Sequence, residues 1–138
     1  MTRTAIALAF VLLTAGVVYA ADGLFSEAQT RHGETVYKAR CAACHGQTLD
    51  GGQEAPPLNG ADFWAQWDRQ TARALYSRIL SSMPPDGPGT LSEREVIDIV
   101  AHIVHSNSAP YGSRTVETPA ELNQIKLERP LAKGDFAP

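Results

Sequence analysis

The chain has 138 residues, about the length of one domain, and its 12 Lys and Arg against 15 Asp and Glu give a formal charge of -3. That charge argues against a polybasic nucleic-acid binder, and 43% hydrophobic with 20% charged residues argues against a disordered chain. The two cysteines allow at most one disulfide and exclude a four-cysteine zinc site.

The chain opens on an uncharged, apolar segment. Thr4 to Ala21 carries no charge and is rich in Ala, Leu and Val, and Arg3 precedes it. Val18-Tyr19-Ala20 fits the small-x-small rule of signal-peptide cleavage. We therefore expect residues 1–20 to be a signal peptide and the mature chain to be periplasmic, where paired thiols normally oxidise. An uncleaved anchor is the alternative, because a run of this length can just span a bilayer.

The first predicted helix begins at Ser26. Ser26-Glu27-Ala28-Gln29 has the capping-box form, and we expect the helix to continue to about Ala43. A spacing of 3.6 residues places one set of residues on the same face of this helix, and His32 lies nearly opposite that face. The residues of the face are Thr30, Gly33, Tyr37 and Cys41. Glycine costs about 1 kcal/mol against alanine inside a helix, so Gly33 is either merely tolerated or placed where another backbone approaches.

A loop, a short aromatic segment and a second predicted helix follow. Gly46 to Gly60 contains Gly-Gly and Pro-Pro pairs and is predicted to be loop. The next segment carries Phe63, and we expect the tryptophans at positions 64 and 67 to lie in the core. Thr71 to Ser82 is predicted to be a helix with one apolar face. It ends where Met83-Pro84-Pro85 disfavours helical backbone.

The clearest helix is predicted from Ser92 to about Ser106, where Ser92-Glu93-Arg94-Glu95 is a second capping box. Its apolar face consists of Val96, Ile99, Val100 and Ile103. Its opposite face, which we expect to be exposed, carries Arg94, Glu95, Asp98, His102 and His105. A third cap, Thr118-Pro119-Ala120-Glu121, predicts a short helix that ends near Ile125. No segment alternates with the period of a strand.

Cys41-Ala42-Ala43-Cys44-His45 is the motif that carries chemistry. In an exported chain, C-x-x-C-H is the attachment signature of c-type haem. Two thiols add to the vinyl groups of one porphyrin edge, and the turn between them carries His45 under the iron. Three alternatives explain less. A thioredoxin-like pair wants a βαβ context, a zinc site needs four ligands, and a disulfide across this turn would stabilise little.

The iron of such a haem needs a sixth ligand or an open site. Met1 leaves with the signal peptide, so Met83 is the only methionine of the mature chain. It lies at the end of a predicted helix, just before two prolines that stiffen the backbone. We favour Met83 as the distal ligand. His102 or His105 is the alternative, but their helix would have to bury its charged face.

Together these motifs resemble class I c-type cytochromes over roughly Ser26 to Asn107. The resemblance implies a small all-α fold in which the N- and C-terminal helices cross around one covalently bound haem c. Gly33 and Tyr37 then lie at the crossing, which supplies a reason for the glycine. The haem domain would comprise residues 21–108, and residues 109–138 would be a C-terminal extension.

The same resemblance assigns the residues around the iron. Pro56-x-Leu58-x-Gly60 is similar to the loop that covers one haem face. The Pro56 carbonyl would then accept a hydrogen bond from the ring N–H of His45 and fix its tautomer. Met83-Pro84 resembles the distal-ligand loop of the bacterial members. Leu91 to Asn107 resembles their C-terminal helix.

A narrower similarity concerns partners. The run from Phe63 through Met83-Pro84-Pro85 to Ser92, with a tail from Leu122 to Leu127, looks like cytochromes that partner quinoprotein dehydrogenases. We expect an electron carrier rather than an enzyme, with a periplasmic dehydrogenase as donor or a terminal oxidase as acceptor. We expect no membrane span after cleavage and no nucleic-acid partner. The alternatives are a haem subunit of a dehydrogenase complex and, less favoured, a haem enzyme or sensor.

Overall fold

The computed structural model describes residues 23–130, so the predicted signal peptide and the last eight residues lie outside the described part. Five α-helices dominate that part, with two short parallel strands and one 3₁₀ helix. In chain order the elements are β1 (Phe25–Ser26), α1 (Glu27–Arg40), α2 (Ala42–His45), α3 (Gly60–Trp67), α4 (Ala72–Ser82), α5 (Glu93–Ser106), β2 (Tyr111–Gly112) and the 3₁₀ helix (Glu121–Gln124). The predicted all-α fold is thereby confirmed.

Helix α1 begins where the sequence predicts and ends earlier. The Ser26 hydroxyl accepts a hydrogen bond from the backbone N–H of Gln29 at 3.3 Å, as an N-cap should. The Gln29 side chain bonds elsewhere, so only half of the expected capping box forms. The helix stops at Arg40, not near Ala43, because Cys41 leaves the helical conformation and the four-residue α2 follows.

Helices α1 and α5 cross in direct backbone contact at Gly33. A Cβ atom added to Gly33 would overlap the carbonyl oxygen of Asp98 on α5. Only glycine allows the backbones to approach this closely. One turn further along α1, the rings of Tyr37 and His102 pack at a centroid distance of 5.2 Å. The predicted crossing of the N- and C-terminal helices is confirmed, and close approach explains the glycine.

Only part of the polar face of α5 is exposed: Arg94 is exposed as predicted, but the prediction is wrong for Asp98 and His102. Asp98 is 1% exposed and His102 is 9% exposed, because α1 lies across this face. A buried carboxylate must be hydrogen-bonded. Asp98 accepts from Gln29 Nε2 at 2.7 Å, bonds to His32 Nδ1 at 2.7 Å and accepts from Arg94 Nε at 3.1 Å.

Helix α4 forms as predicted, the short aromatic segment before it forms helix α3, and both supply much of the core. Trp64 and Trp67 are buried on α3. Thr71 caps α4, its hydroxyl accepting from the N–H of Ala74 at 3.3 Å. The buried face of α4 consists of Ala72, Leu75, Tyr76 and Ile79. Helix α5 carries the complete capping box that the sequence predicts at Ser92.

The described part of the extension packs on this same core. Its buried apolar residues are Val116, Leu122, Ile125 and Leu127. The predicted helix from Thr118 to Ile125 is shorter than expected and is the 3₁₀ helix Glu121–Gln124. The Glu121 carboxylate accepts from the N–H of Thr118 at 2.8 Å and from its hydroxyl at 2.9 Å. Strand β2 pairs with β1, with Phe25 opposite Tyr111. Within residues 23–130 no helix is long and apolar enough to cross a membrane.

Candidate functional site

The two cysteines and His45 lie together at the junction of α1 and α2. Cys41 and Cys44 are free and half-buried, and His45 is buried at the end of α2. The backbone N–H of His45 donates to the Cys41 carbonyl at 3.0 Å, so a single helical turn carries all three side chains. Burial raises the pKa of the Cys41 thiol to about 11, so the free thiol is protonated at neutral pH.

The His45 ring is held in one orientation. Its Nδ1 lies 2.9 Å from the carbonyl oxygen of Pro56, a contact in which the ring N–H donates. Nε2 then carries the lone pair, which is the form of imidazole that binds iron. This is the hydrogen bond that the resemblance to class I cytochromes implies.

The loop after His45 is fixed by backbone hydrogen bonds. The N–H of Gly51 donates to the carbonyl of His45 at 2.8 Å, and the N–H of Leu58 donates to the carbonyl of Leu49 at 2.8 Å. The Tyr37 hydroxyl donates to the carbonyl of Gly46 at 2.8 Å. Gly46 has φ of +81°, a conformation that favours glycine. The Pro56 carbonyl therefore sits on a loop with little freedom to move.

Asn107 supports the site, and nothing in the sequence motifs assigned it that role. Its side chain is buried at the C-cap of α5 and accepts from the N–H of Gly60 at 3.0 Å. Its Nδ2 donates to the carbonyl of Leu58 at 2.9 Å. Asn107 therefore ties the loop that holds His45 to the end of α5. The available signal was an Asn just after a predicted helix, which is a common C-cap.

Met83 lies at the C-cap of α4. Its backbone N–H donates to the carbonyl of Ile79 at 2.9 Å, so the direction of α4 determines where the Met83 backbone lies. Its half-buried side chain packs against the hydrophobic core, as do Cys41 and Leu58. The following loop returns to α1, where Arg40 donates to the Thr90 hydroxyl at 3.0 Å.

The three other histidines are engaged elsewhere. His32 bonds to Asp98, and His102 packs on Tyr37. His105 Nδ1 lies 2.8 Å from the carbonyl of Ala109, and its ring stacks on Tyr111 at 4.0 Å. Helix α5 does bury Asp98 and His102 of its charged face, but it does so against α1. These contacts weaken the alternative in which His102 or His105 serves as the distal ligand.

This donor set fits a covalently bound haem. Two free thiols and an imidazole with a directed lone pair share one helical turn. Among the described residues, the thiols form no disulfide and the Nε2 atom of His45 has no hydrogen-bond partner. Cys41 and Cys44 would hold the porphyrin, and His45 would bind its iron. The assignment of Met83 to the opposite side of the iron stays a prediction.

Comparison with known proteins gives a family and a fold. The family model described as cytochrome C oxidase, cbb3-type, subunit III matches residues 28–103. A thiosulfate dehydrogenase of Stutzerimonas stutzeri (strain A1501) is 31% identical in an alignment 102 residues long, which covers 68% of this chain and 32% of that protein. The chain thus spans about one third of the length of this curated relative.

A solved structure gives the same architecture. The sulfane dehydrogenase SoxCD from Paracoccus pantotrophus superposes with a TM-score of 0.57 at 21% identity, over 89% of this chain and 68% of that one. At this identity the likeness shows the fold alone.

Proposed function

The chain belongs to the cytochrome c family described as cytochrome C oxidase, cbb3-type, subunit III, and from this premise we propose that it transfers single electrons through one covalently attached haem c. Haem-based electron transfer is the activity that family membership supports. The observation that carries the finer proposal is the His45 ring, buried and oriented by the Pro56 carbonyl beside two free thiols.

Each residue has a separate task in this proposal. Cys41 and Cys44 tether the haem through thioether bonds, and His45 and Met83 are the axial ligands. The haem supplies the one-electron couple between Fe(III) and Fe(II). Pro56 keeps His45 in one tautomer, so little reorganisation accompanies the change of charge. A His/Met ligand pair raises the reduction potential relative to two histidines.

We propose a dehydrogenase as the electron donor. The curated relative that is 31% identical is named a thiosulfate dehydrogenase, which supports a dehydrogenase as the partner. This chain matches about one third of that protein, which fits an electron-transfer domain that works beside a separate catalytic unit. The predicted signal peptide supports a periplasmic location. A terminal oxidase is the complementary acceptor.

The experiment begins with the mature protein from a host that attaches haem c. Its mass should exceed that of the polypeptide by one haem, and the haem should resist acid-acetone extraction. Met83→Ala should abolish the weak charge-transfer band of Met-ligated ferric haem and lower the reduction potential. Leu80→Ala, half-buried on the same helix, is the matched control and should keep the band. Extractable haem, or a band that survives in Met83→Ala, contradicts the proposal.

A second candidate is catalysis at the haem itself, which the name of the thiosulfate dehydrogenase relative favours. A substrate would need an open or displaceable axial position. Mixing the ferric protein with thiosulfate in the absence of any other protein distinguishes an enzyme from an electron carrier. Reduction at a rate that saturates with thiosulfate supports catalysis, and a spectrum that stays ferric supports the carrier.

A further inference from the structure

We propose that the C-terminal segment Ile125–Leu127 is a brace that holds α4 in place and thereby keeps Met83 on the iron. This inference rests on the proposed His/Met ligation. It assigns the extension a task within the electron-transfer domain, in place of a separate interface for a partner.

The brace is a short backbone pairing at the start of α4. The N–H of Arg69 donates to the carbonyl of Leu127 at 2.7 Å, and the N–H of Leu127 donates to the carbonyl of Gln70 at 2.8 Å. The N–H of Ala72 donates to the carbonyl of Ile125 at 2.8 Å. Thr71 and Lys126 form an antiparallel bridge. The backbone from Arg69 to Ala72, which leads into the first turn of α4, is thus paired with the extension.

These bonds satisfy groups that the helix itself leaves unpaired. The N–H groups of the first turn of a helix have no partner within it. Ile125 supplies an acceptor to the N–H of Ala72, and the Thr71 hydroxyl supplies one to the N–H of Ala74. The backbone conformation just before α4 is otherwise unfavourable. Arg69 has φ of +65°, where residues other than glycine are strained. The extension therefore fixes a junction that local sequence would not hold.

The apolar side chains of the brace anchor it in the core. Leu127 is 1% exposed and Ile125 is 4% exposed. Leu122, in the adjoining 3₁₀ helix, is fully buried. Two of the three side chains of the brace therefore belong to the hydrophobic core, and detaching the brace would expose them to water.

Helix α4 transmits this constraint to Met83. The N–H of Met83 continues the hydrogen-bond ladder of α4 through Ile79. Eleven residues of helix separate the braced end from the methionine, and an α-helix of that length is stiff. A small change in the tilt of α4 at its start would move the thioether sulfur at its end. A Met–iron bond is weak enough to be lost to an added ligand when the methionine is misplaced.

The test uses the mature ferric protein, with its C-terminal extension intact, and free imidazole, which competes with Met83 for the iron. Leu127→Ala should tighten imidazole binding by about tenfold, equivalent to about 1.4 kcal/mol, and weaken the methionine charge-transfer band. The matched control is Val116→Ala, which removes a fully buried side chain from the same extension away from the brace. Val116 is held by Gln29 instead, through bonds of 2.9 and 3.0 Å. If Leu127→Ala does not fold, the milder Leu127→Val is measured in the same way.

The free energy of unfolding of each variant separates positioning from general stability. If imidazole affinity changes equally in both variants at equal loss of stability, or in neither, the brace is refuted. Failure of the proposed ligation looks different, because the wild-type ferric protein would then lack the methionine band before any substitution is made.

Discussion

Gly33 is the residue on which the contact between α1 and α5 depends. An added methyl group would overlap backbone of Asp98, which cannot move aside as a flexible side chain would. Gly33→Ala should therefore lower the free energy of unfolding by about 1–3 kcal/mol, the usual cost of overpacking, and Gly33→Leu by at least as much. Denaturant titration measures both.

The control for Gly33 is Thr35→Ala, an exposed change on the same helix. Alanine is the better helix former, so this variant should be neutral or slightly stabilised. On an open helix face Gly33→Ala would behave the same way. A rise in melting temperature for Gly33→Ala would therefore contradict the crossing.

His102 makes the stability of the fold depend on pH. Burial lowers the pKa of His102 below its usual 6.5, and the groups around it are Glu34 and Lys38 on α1 and His105 on its own helix. The unfolded chain therefore binds a proton at a pH where folded His102 stays neutral. This contribution to stability is complete above about pH 6.5 and is lost progressively as the pH falls below it.

His102→Phe should reduce that dependence, because phenylalanine preserves the ring packed on Tyr37 and cannot titrate. The measurement is the free energy of unfolding from about pH 7 to about pH 5. The wild-type curve should fall more steeply than that of the variant. Parallel curves would mean that His102 titrates alike in the folded and unfolded states.

Asp98 and His102 also show where residue-level prediction fails. Both lie opposite the apolar stripe of α5, and a helical period alone places them in water. Their burial depends on α1, which crosses that side of α5 at a glycine. Gln29, Arg94 and His32 then provide the hydrogen bonds that a buried carboxylate needs. The Cys41 to His45 motif could be read from sequence because its chemistry fixes residue types and spacing within one turn.

At the scale of elements, the N-terminal cap of α5 is the clearest local signal. The Ser92 hydroxyl accepts from the N–H of Glu95 at 3.3 Å, and the Glu95 carboxylate accepts from the N–H of Ser92 at 2.8 Å. Ser92→Ala should cost about 1 kcal/mol of stability, the usual value for a lost N-cap. The Ser92 N–H bond also lowers the pKa of Glu95, so part of this cap is lost as the medium becomes acidic.

Thermal unfolding tests the cap, with Ser106→Ala as its control. Ser106 is exposed at the other end of α5 and caps nothing. Equal melting temperatures for the two variants would show that the capping box does not stabilise the helix.

The elements that sequence predicts well are those with local signals. Ser26, Thr71 and Ser92 each begin a helix at the expected position, because an N-cap is encoded by the residues beside it. The end of α1 is missed because the break at Cys41 has no such signal. The buried role of Ile125 to Leu127 is missed for another reason. The alternation of Ile125, Lys126 and Leu127 is too short to predict a strand, and only its pairing with the start of α4 buries the two apolar side chains in the core.

At the scale of the whole molecule, both ends of the described chain close on the same core. Strand β1 pairs with β2 beyond α5, and Gln29 bonds to both the N–H and the carbonyl of Val116. The extension is thus bonded both to α1 and to the start of α4. A class I cytochrome pattern accounts for the chain up to Asn107, and the rest follows only from tertiary contacts.

The last prediction concerns how this surface meets a partner. Without Arg3 the chain carries 11 basic and 15 acidic residues, and Asp98 is removed from the acidic surface by burial. Asp86, in the loop after Met83, and Glu93, at the start of α5, stay exposed. Opposite charges steer encounter, whereas electron transfer itself needs only a small, brief contact.

Electron transfer from a reduced c-type cytochrome of positive net charge should therefore slow as salt rises from about 10 to 150 mM, because the Debye length shrinks from roughly 30 to 8 Å. Asp86→Asn should lower the rate at low salt and flatten the dependence. Glu128→Gln, an exposed change in the extension, is the control for charge alone. Stopped-flow rates that stay flat across this range would instead favour a subunit held permanently by an apolar interface, since such contacts are insensitive to screening at these concentrations.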